Sequence, residues 1–222
     1  LAALDNEAVE ALVCCGDVVG YGASPNECLA LLRERGIPII AGNHDHASLY
    51  MTDISYFNEI AKAAVVWTKD HLTLENQDYI KSFAMTHKLG PLFFVHASPK
   101  NPSEWNYILT MGDARVNFEY FEEQFCFVGH SHQPFIIEQN GSELRCPPTT
   151  QIEIKEDCRY LVNVGSVGQP RDRNPHACYA VVDLDKKYIQ LNRIAYDLKE
   201  AQELIIQSGL PRELAERLAH GW

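Results

Sequence analysis

Four short apolar runs, each followed at once by polar residues, constrain the fold of this chain more than any other feature. The runs are rich in β-branched and aromatic residues, which is typical of buried strands, and they span residues 11–15, 38–41, 92–95 and 125–128. The residues that follow them are Gly16-Asp17, Gly42-Asn43-His44-Asp45, His96-Ala97-Ser98 and Gly129-His130-Ser131-His132. In open α/β sheets the carboxyl ends of the strands meet at one crevice, where ligands bind. We therefore expect Asp17, Asn43, His96, His130 and His132 to lie close together.

Helical patterns separate the early runs, and the last third of the chain is different. Residues 26–35 and 56–71 carry apolar side chains at helical spacing, so the first part predicts parallel strands joined by helical crossovers. Closely spaced strands follow at 134–138, 151–154, 160–164, 178–184 and 188–194, with Asn140-Gly141 as a turn. We predict one α/β domain over residues 1–222, in which 198–220 is a C-terminal helical extension packed on the rest. That extension is expected to be two short helices broken at residues 209–211, with Leu204, Ile205, Leu214 and Leu218 facing inward.

Composition narrows the class of partner. The formal net charge is -11, which disfavours a nucleic-acid partner because it repels a phosphate backbone. No apolar run approaches the ~20 residues that span a bilayer, so no membrane partner is expected. Seven cysteines without a C-x-x-C pair indicate a reduced, cytoplasmic protein. The oligomeric state is not determined by the sequence, and a homo-oligomer stays open.

The polar residues at the strand ends form a recognisable ligand set. A carboxylate, an amide oxygen and three imidazoles, without a thiolate, suit Mn, Fe, Zn, Co or Ni. The His-x-His spacing of His130 and His132 allows two metal ions to share the pair if the turn splays the side chains. The Asp17 carboxylate could then bridge the two ions.

The order and strand context of these motifs resemble those of the calcineurin-like metallophosphoesterases. The resemblance rests on Gly16-Asp17-Val18-Val19-Gly20, Gly42-Asn43-His44-Asp45, Val95-His96 and Gly129-His130-Ser131-His132. Residues 163–171 and the Gly209-Leu210-Pro211 tail also resemble a bacterial and archaeal branch of predicted phosphodiesterases. The resemblance implies a four-layer α/β/β/α sandwich of mixed sheets, with two divalent metal ions at the carboxyl ends of the strands.

Roles follow from the resemblance residue by residue. Asp17 would bridge the ions, Asn43, His96 and His130 would complete one site, and His132 would join the other. His44 would be the general acid, and Asp45 would orient a catalytic or ligating imidazole. Asn43 and Arg171 are the candidate substrate-binding residues, and a solvated Arg171 paired with Asp172 is the alternative. Trp105 and Tyr107 could stack a base or sugar or could only pack the interior.

Two departures from the family pattern matter. The first family motif, an Asp-x-His that supplies two ligands to the His132 metal, is absent. We expect residues to be missing both before Leu1 and between Leu4 and Glu10, because otherwise that metal has only Asp17 and His132. The Ser/Thr protein phosphatases of the superfamily carry Asp and Arg where this chain has Gly20 and Tyr21, which argues against a phosphoprotein substrate.

The expected activity is hydrolysis of small or nucleotide-like phosphate esters, more specifically diesters. Two cations can hold a bridging water whose pKa falls toward ~7, and the resulting hydroxide would attack phosphorus. A phosphomonoesterase or a dinucleoside polyphosphate hydrolase is the alternative within enzymes. A non-catalytic scaffold with the same fold is the alternative outside them.

Overall fold

A computed structural model describes residues 1–7 and 9–222 of the chain. The expectation of missing residues between Leu4 and Glu10 includes Ala8 and so lies partly outside the described residues. The described residues form eight α-helices: α1 (Ala2–Asp5), α2 (Pro25–Glu34), α3 (Asn43–Ala47), α4 (Glu59–His71), α5 (Leu74–Lys81), α6 (Met111–Asn117), α7 (Leu198–Gln207) and α8 (Arg212–Glu216). Three short 3-10 helices are also present: Pro102–Glu104, Phe118–Tyr120 and Arg217–Ala219.

The strands of the described chain are divided between two sheets. They are β1 (Thr86–Leu89), β2 (Leu92–Val95), β3 (Phe125–Val128), β4 (Phe135–Asn140), β5 (Glu143–Arg145), β6 (Gln151–Glu153), β7 (Arg159–Asn163), β8 (Ala177–Asp183) and β9 (Tyr188–Ile194). One sheet has six strands in the order β1-β2-β3-β7-β4-β5, and the other has three in the order β6-β9-β8. Strands β2, β3 and β7 run parallel, while β1, β4 and β5 are antiparallel additions. The predicted mixed α/β fold with two sheets and helices is confirmed.

The first two predicted strands are the largest error in the predicted elements. Residues 11–15 and 38–41 make only isolated parallel bridges, Cys14 to Ile39 and Ile40 to Ala84. These runs are apolar enough for strands, but a strand also needs a continuous hydrogen-bonded neighbour, which apolarity does not reveal. Both segments nevertheless run in parallel, as predicted, and still deliver the residues that follow them to one edge.

Alternating side chains of the six-stranded sheet fill two separate cores. On one face, Phe94, Phe127 and Tyr160 pack with Ile189 and Leu191 of the three-stranded sheet. On the other face, further strand residues pack against α6 and the segments beside it: Phe93, Cys126, Leu161, Ala114 and Phe118. Burying both faces explains why the strands β2 and β3 are apolar throughout.

The C-terminal helices pack on α4. Ile205, Leu214 and Leu218 are buried against Ala64, in a cluster that Tyr21 borders. Leu204 is 43% exposed, so its predicted inward orientation was wrong. Among the described residues, no helix is both long and apolar enough to cross a membrane.

Candidate metal centre

Parallel strand ends bring the candidate ligands to one edge. The register pairs Leu92 with Phe125 and Phe94 with Phe127, so β2 and β3 end level with each other. His96 directly follows β2, and His130 lies two residues after β3. Asp17 and Asn43 follow the bridged segments, and Asn43 begins α3.

Three potential ligand atoms converge around the Nε2 atom of His96. Asn43 Oδ1 and His130 Nδ1 each lie 3.2 Å from it, and Asp17 Oδ2 lies 3.3 Å from it. The Nδ1 atom of His96 is 2.6 Å from the carbonyl oxygen of Cys15, to which it donates its proton. Nε2 carries at most one hydrogen and can satisfy only one of its three neighbours. Several lone pairs therefore face each other at this point.

This arrangement fits a divalent cation. Ligand atoms about 2.1 Å from one ion lie roughly 3.0–3.4 Å apart in octahedral or tetrahedral geometry, which matches the separations from His96 Nε2. The available atoms of Asp17, His96 and His130 all lie within 4.8 Å of one another. His130 Nε2 is buried without a hydrogen-bond partner, and its Nδ1 atom faces His96 Nε2. The donor set of one carboxylate, one amide and two imidazoles is typical of first-row transition ions.

Backbone conformations at the site are unusual for residues with side chains. Asp17, His130 and His132 have φ angles of 53°, 60° and 59°, in the left-handed region. Such conformations cost free energy and persist where the surrounding structure fixes them, often at functional sites. Here they turn the side chains off the strand direction and toward the shared edge.

Two glycines make the close approach possible. A Cβ atom at Gly42 would lie 2.1 Å from Asp17 Oδ1, which is far inside van der Waals contact. A Cβ atom at Gly20 would lie 2.6 Å from Nδ1 of His44, and Gly20 has a φ of 133°. Larger residues at either position would displace Asp17 or His44.

Asp45 holds the backbone of the site. Its fully buried carboxylate accepts hydrogen bonds from the amides of Asp17 at 2.8 Å, Val18 at 3.0 Å, Val19 at 3.3 Å and Gly42 at 2.9 Å. None of the described hydrogen bonds of Asp45 reaches an imidazole ring, the contact that the sequence analysis expected. The carboxylate therefore clamps the loop that carries Asp17 to the start of α3.

His132 lies beside the converging ligands and is oriented separately. Its Nδ1 atom donates to the carbonyl oxygen of Gln169 at 2.6 Å, which leaves Nε2 as the available ligand atom. The turn that carries His130 and His132 is held by Asn163, whose amide donates to Gly129 O at 2.6 Å and Ser131 Oγ at 3.0 Å. Gln169 and Asn163 were not predicted, although the position of Asn163 at a strand end is the same signal that marked the ligands.

Burial sets most of the charge states of the site. Burial, followed by the charge of His96, lowers the pKa of His130 to about 3. Burial, followed by the charge of Arg171, lowers the pKa of His132 to about 3. Burial alone would raise the pKa of Asp17, but the charges of His96 and His44 outweigh it and hold that pKa well below its usual range. Burial alone would lower the pKa of His96, but the charge of Asp17 outweighs burial and raises that pKa. The site thus combines a charged carboxylate with the neutral imidazoles of His130 and His132, which are forms that bind metal ions.

His44 occupies an apolar slot next to these ligands. Its ring lies 4.3 Å from the ring of Tyr21 and 5.1 Å from that of Phe57, and its backbone amide donates to Asp17 Oδ1 at 2.8 Å. Burial lowers the pKa of His44 to about 4 against the opposing charge of Asp17. Its Nδ1 atom is buried without a hydrogen-bond partner.

Two aromatic residues support the histidines. The ring of Tyr107 stacks on His130 with centroids 4.0 Å apart, and Trp105 meets His96 edge-on at 5.9 Å. The indole nitrogen of Trp105 donates to Thr52 Oγ1 at 3.3 Å. Both aromatics contact candidate ligands, and Tyr107 is 48% exposed, so stacking on a base or sugar stays a prediction.

Arg171 reaches the same edge from the loop after β7. Its backbone amide donates to His132 O at 3.1 Å, and its Nη2 atom donates to Tyr21 Oη at 3.2 Å. Asp172 forms its ion pair with Arg193, so the alternative pairing of Arg171 with Asp172 is not observed. The Arg171 guanidinium is left beside the metal centre without a carboxylate partner among the described residues.

Comparison with known proteins gives a consistent family. The sequence profile of the calcineurin-like phosphoesterase superfamily domain matches residues 1–187. An uncharacterized protein of Methanocaldococcus jannaschii is 37% identical over 227 residues, which cover 98% of this chain and 89% of that protein. The crystal structure of a metallophosphoesterase from Sphaerobacter thermophilus superimposes with a TM-score of 0.85 at 34% identity, over 100% of this chain and 92% of that one.

A hypothetical protein from Pyrococcus horikoshii has the same fold, with a TM-score of 0.79 at 21% identity over 100% of this chain and 90% of that one. The profile match and the two relatives above 30% identity agree with the motif order and with the convergence of ligand atoms at the strand ends. The chain belongs to the calcineurin-like phosphoesterase superfamily.

Proposed function

We propose that this protein is a metal-dependent phosphodiesterase that acts on small phosphate esters. Family membership supports the broader statement, a phosphoesterase hydrolase that uses divalent metal ions. The observation that carries the finer proposal is the convergence of Asp17, Asn43 and His130 on His96 Nε2, immediately beside the sheltered imidazole of His44.

The proposed metal ions divide between two positions. The first position consists of Asp17, Asn43, His96 and His130. The second position would be formed by His132 together with Asp17, which gives it fewer protein ligands among the described residues. When bound, divalent cations supply charge to the phosphate oxygens and acidify water for attack on phosphorus. We expect the first position to bind metal more tightly, because it has more ligands.

The remaining residues would handle the proton and the ester. His44 is buried and contacts two aromatic rings, which limit its access to water. We assign to it delivery of the proton that the leaving oxygen needs; because its pKa is about 4 in the free protein, the imidazole would take up that proton from water only when the anionic ester is bound. Arg171 offers a planar pair of donors to phosphate oxygens. Positions corresponding to charged residues in the Ser/Thr protein phosphatases carry Gly20 and Tyr21, which favours a small ester over a phosphoprotein.

The first test is hydrolysis of bis(p-nitrophenyl) phosphate and p-nitrophenyl phosphate with Mn²⁺. The proposal predicts Mn²⁺-dependent activity with a higher kcat/KM for the diester. A higher kcat/KM for the monoester would show that the protein is a phosphomonoesterase and not a phosphodiesterase. No hydrolysis of either ester by metal-loaded protein would favour a non-catalytic role.

The role of His44 is tested by the dependence on the leaving group. A His44→Asn variant should lose about 10²–10⁴-fold in kcat on a dialkyl phosphate such as dibutyl phosphate, whose alkoxide leaving group needs a proton. It should lose far less on the nitrophenyl diester, because nitrophenolate leaves without one. His176→Asn, at an exposed loop position, is the matched control. Equal losses on both substrates would show that His44 does not supply the proton to the leaving group.

A further inference from the structure

The C-terminal tail places a second arginine next to the metal centre. Arg217 begins the last 3-10 helix, and its Cζ atom lies 4.4 Å from the centroid of the Tyr21 ring. The same ring lies 4.3 Å from the ring of His44, and its hydroxyl accepts from Arg171. Tyr21 is therefore surrounded by the candidate acid and two guanidinium groups. The superfamily profile ends at residue 187, so Arg217 lies outside the residues it matches.

Two of the three nitrogen atoms of the Arg217 guanidinium lack hydrogen-bond partners. Its Nε and Nη2 atoms are buried without a hydrogen bond of good geometry. Among the described residues, no carboxylate forms an ion pair with Arg217 or Arg171. Buried donors without acceptors are costly, and two guanidinium groups that share one phenol also repel each other. An anion between them would remove both penalties.

The tail is fixed in this position by contacts with the loop that carries Arg171. Gln169 Nε2 donates to Trp222 O at 3.0 Å, and the amide of Arg173 donates to Gly221 O at 2.8 Å. Gly221 has a φ of 65°, and a Cβ atom there would lie 2.6 Å from the backbone nitrogen of Asn174. Gln169 also accepts from His132, so the tail, the loop and the metal centre form one connected unit.

We propose that Arg217 and Arg171 form a second anion subsite, which binds an additional phosphate group of the substrate next to the phosphate held at the metal centre. The planar fork of arginine matches phosphate oxygens, and the Tyr21 hydroxyl adds a further polar group. The preferred substrates are then esters or anhydrides with at least two phosphate groups. This inference rests on the proposed function, because the metal centre must hold the first phosphate.

The first arm of the test uses metal-free protein in a chelator, with inorganic phosphate as the probe. Phosphate should raise the melting temperature of the wild type, with a rise that grows with the logarithm of its concentration. Arg217→Met keeps the apolar stem over Tyr21 and should abolish the rise, while Arg217→Lys should give an intermediate one. Arg212→Ala, an exposed arginine of α8, should behave as the wild type. An equal rise in Arg217→Met, or no rise in the wild type, would overturn the subsite.

The second arm uses Mn²⁺-loaded protein and compares inhibition of diester hydrolysis by AMP and ADP at constant free Mn²⁺. ADP should inhibit more strongly than AMP in the wild type. Arg217→Met should weaken ADP inhibition about 10–100-fold, the loss typical of one charge-assisted hydrogen-bonding group, and AMP inhibition far less. Equal inhibition by the two nucleotides would overturn the substrate class. If the loaded protein hydrolyses nothing, the proposed function fails while the first arm still decides the subsite.

Discussion

The two proposed metal positions of the site differ in how completely the described chain builds them. At the first position, Asp17, Asn43 and His130 stand 3.2–3.3 Å from His96 Nε2. At the second, His132 is well oriented by Gln169 but lies outside the group of closely spaced ligand atoms. A residue can thus be well oriented as a ligand, as His132 is, at a position that has too few ligands. The sequence predicted both sets of residues, and the geometry distinguishes them.

The largest effect should come from breaking the first position at its centre. His96→Ala removes the atom on which the others converge, and we expect kcat/KM for the diester to fall by about 10³-fold or more, since both metal charge and positioning are lost. Mass-spectrometric metal analysis should show loss of the tighter-binding ion. His176→Ala should change neither quantity. Retention of the tighter ion in His96→Ala would contradict the assignment of that position.

Breaking the second position should be milder and selective. His132→Ala should lower diester activity by about 10²-fold, the order expected when one of two charge-stabilising groups is removed. Calorimetric titration with Mn²⁺ should lose the weaker phase and retain the tighter one. If His132→Ala instead removed the tighter phase, the ranking of the two positions would be reversed.

Crowding the shared carboxylate should weaken both positions without removing a ligand. Gly42→Ala places a methyl group against Asp17 Oδ1, and we expect metal affinity to fall by about 10–100-fold, as for disturbed supporting contacts. Gly112→Ala is the matched control, because its Cβ atom would meet Thr110 Oγ1 at an acceptable 3.4 Å. An unchanged affinity in Gly42→Ala would mean that Asp17 can move freely.

The smallest effect should come from the aromatic support. Tyr107→Leu removes the ring stacked on His130 but keeps an apolar side chain, so the affinity of the first position should fall by less than about 10-fold. Mn²⁺ titration followed by activity would measure it. A loss as large as that of His96→Ala would show that Tyr107 does more than pack against the ring.

Much of the site could be predicted because its ligands follow strands directly. Strand β9 was predicted with its observed limits, 188–194, and β2 and β3 likewise. The residues that position the ligands were harder to find. Asn163 and Gln169 hydrogen-bond to the turn of His130 and His132 from another strand and the loop after it. Local sequence patterns do not reveal such contacts.

Arg217 shows the same limit at greater sequence distance. The sequence around Arg217 has the pattern of an amphipathic surface helix. No neighbouring residue in the sequence indicates that the arginine lies over Tyr21. At Cys14 and Ile40 the error was the opposite one. Strong local apolarity predicted full strands there, but the neighbouring segments form only isolated bridges. Local chemistry therefore predicts which residues are candidate ligands, while tertiary contacts determine how they are held.

The most direct test of the central claim is a single titration of wild-type protein with Mn²⁺, in which bound metal and hydrolysis of bis(p-nitrophenyl) phosphate are measured on the same samples. The account predicts a tighter and a weaker phase of binding, with hydrolysis reaching its maximum only as the weaker phase fills. Metal binding without any hydrolysis, or hydrolysis that is complete without bound metal, would contradict it.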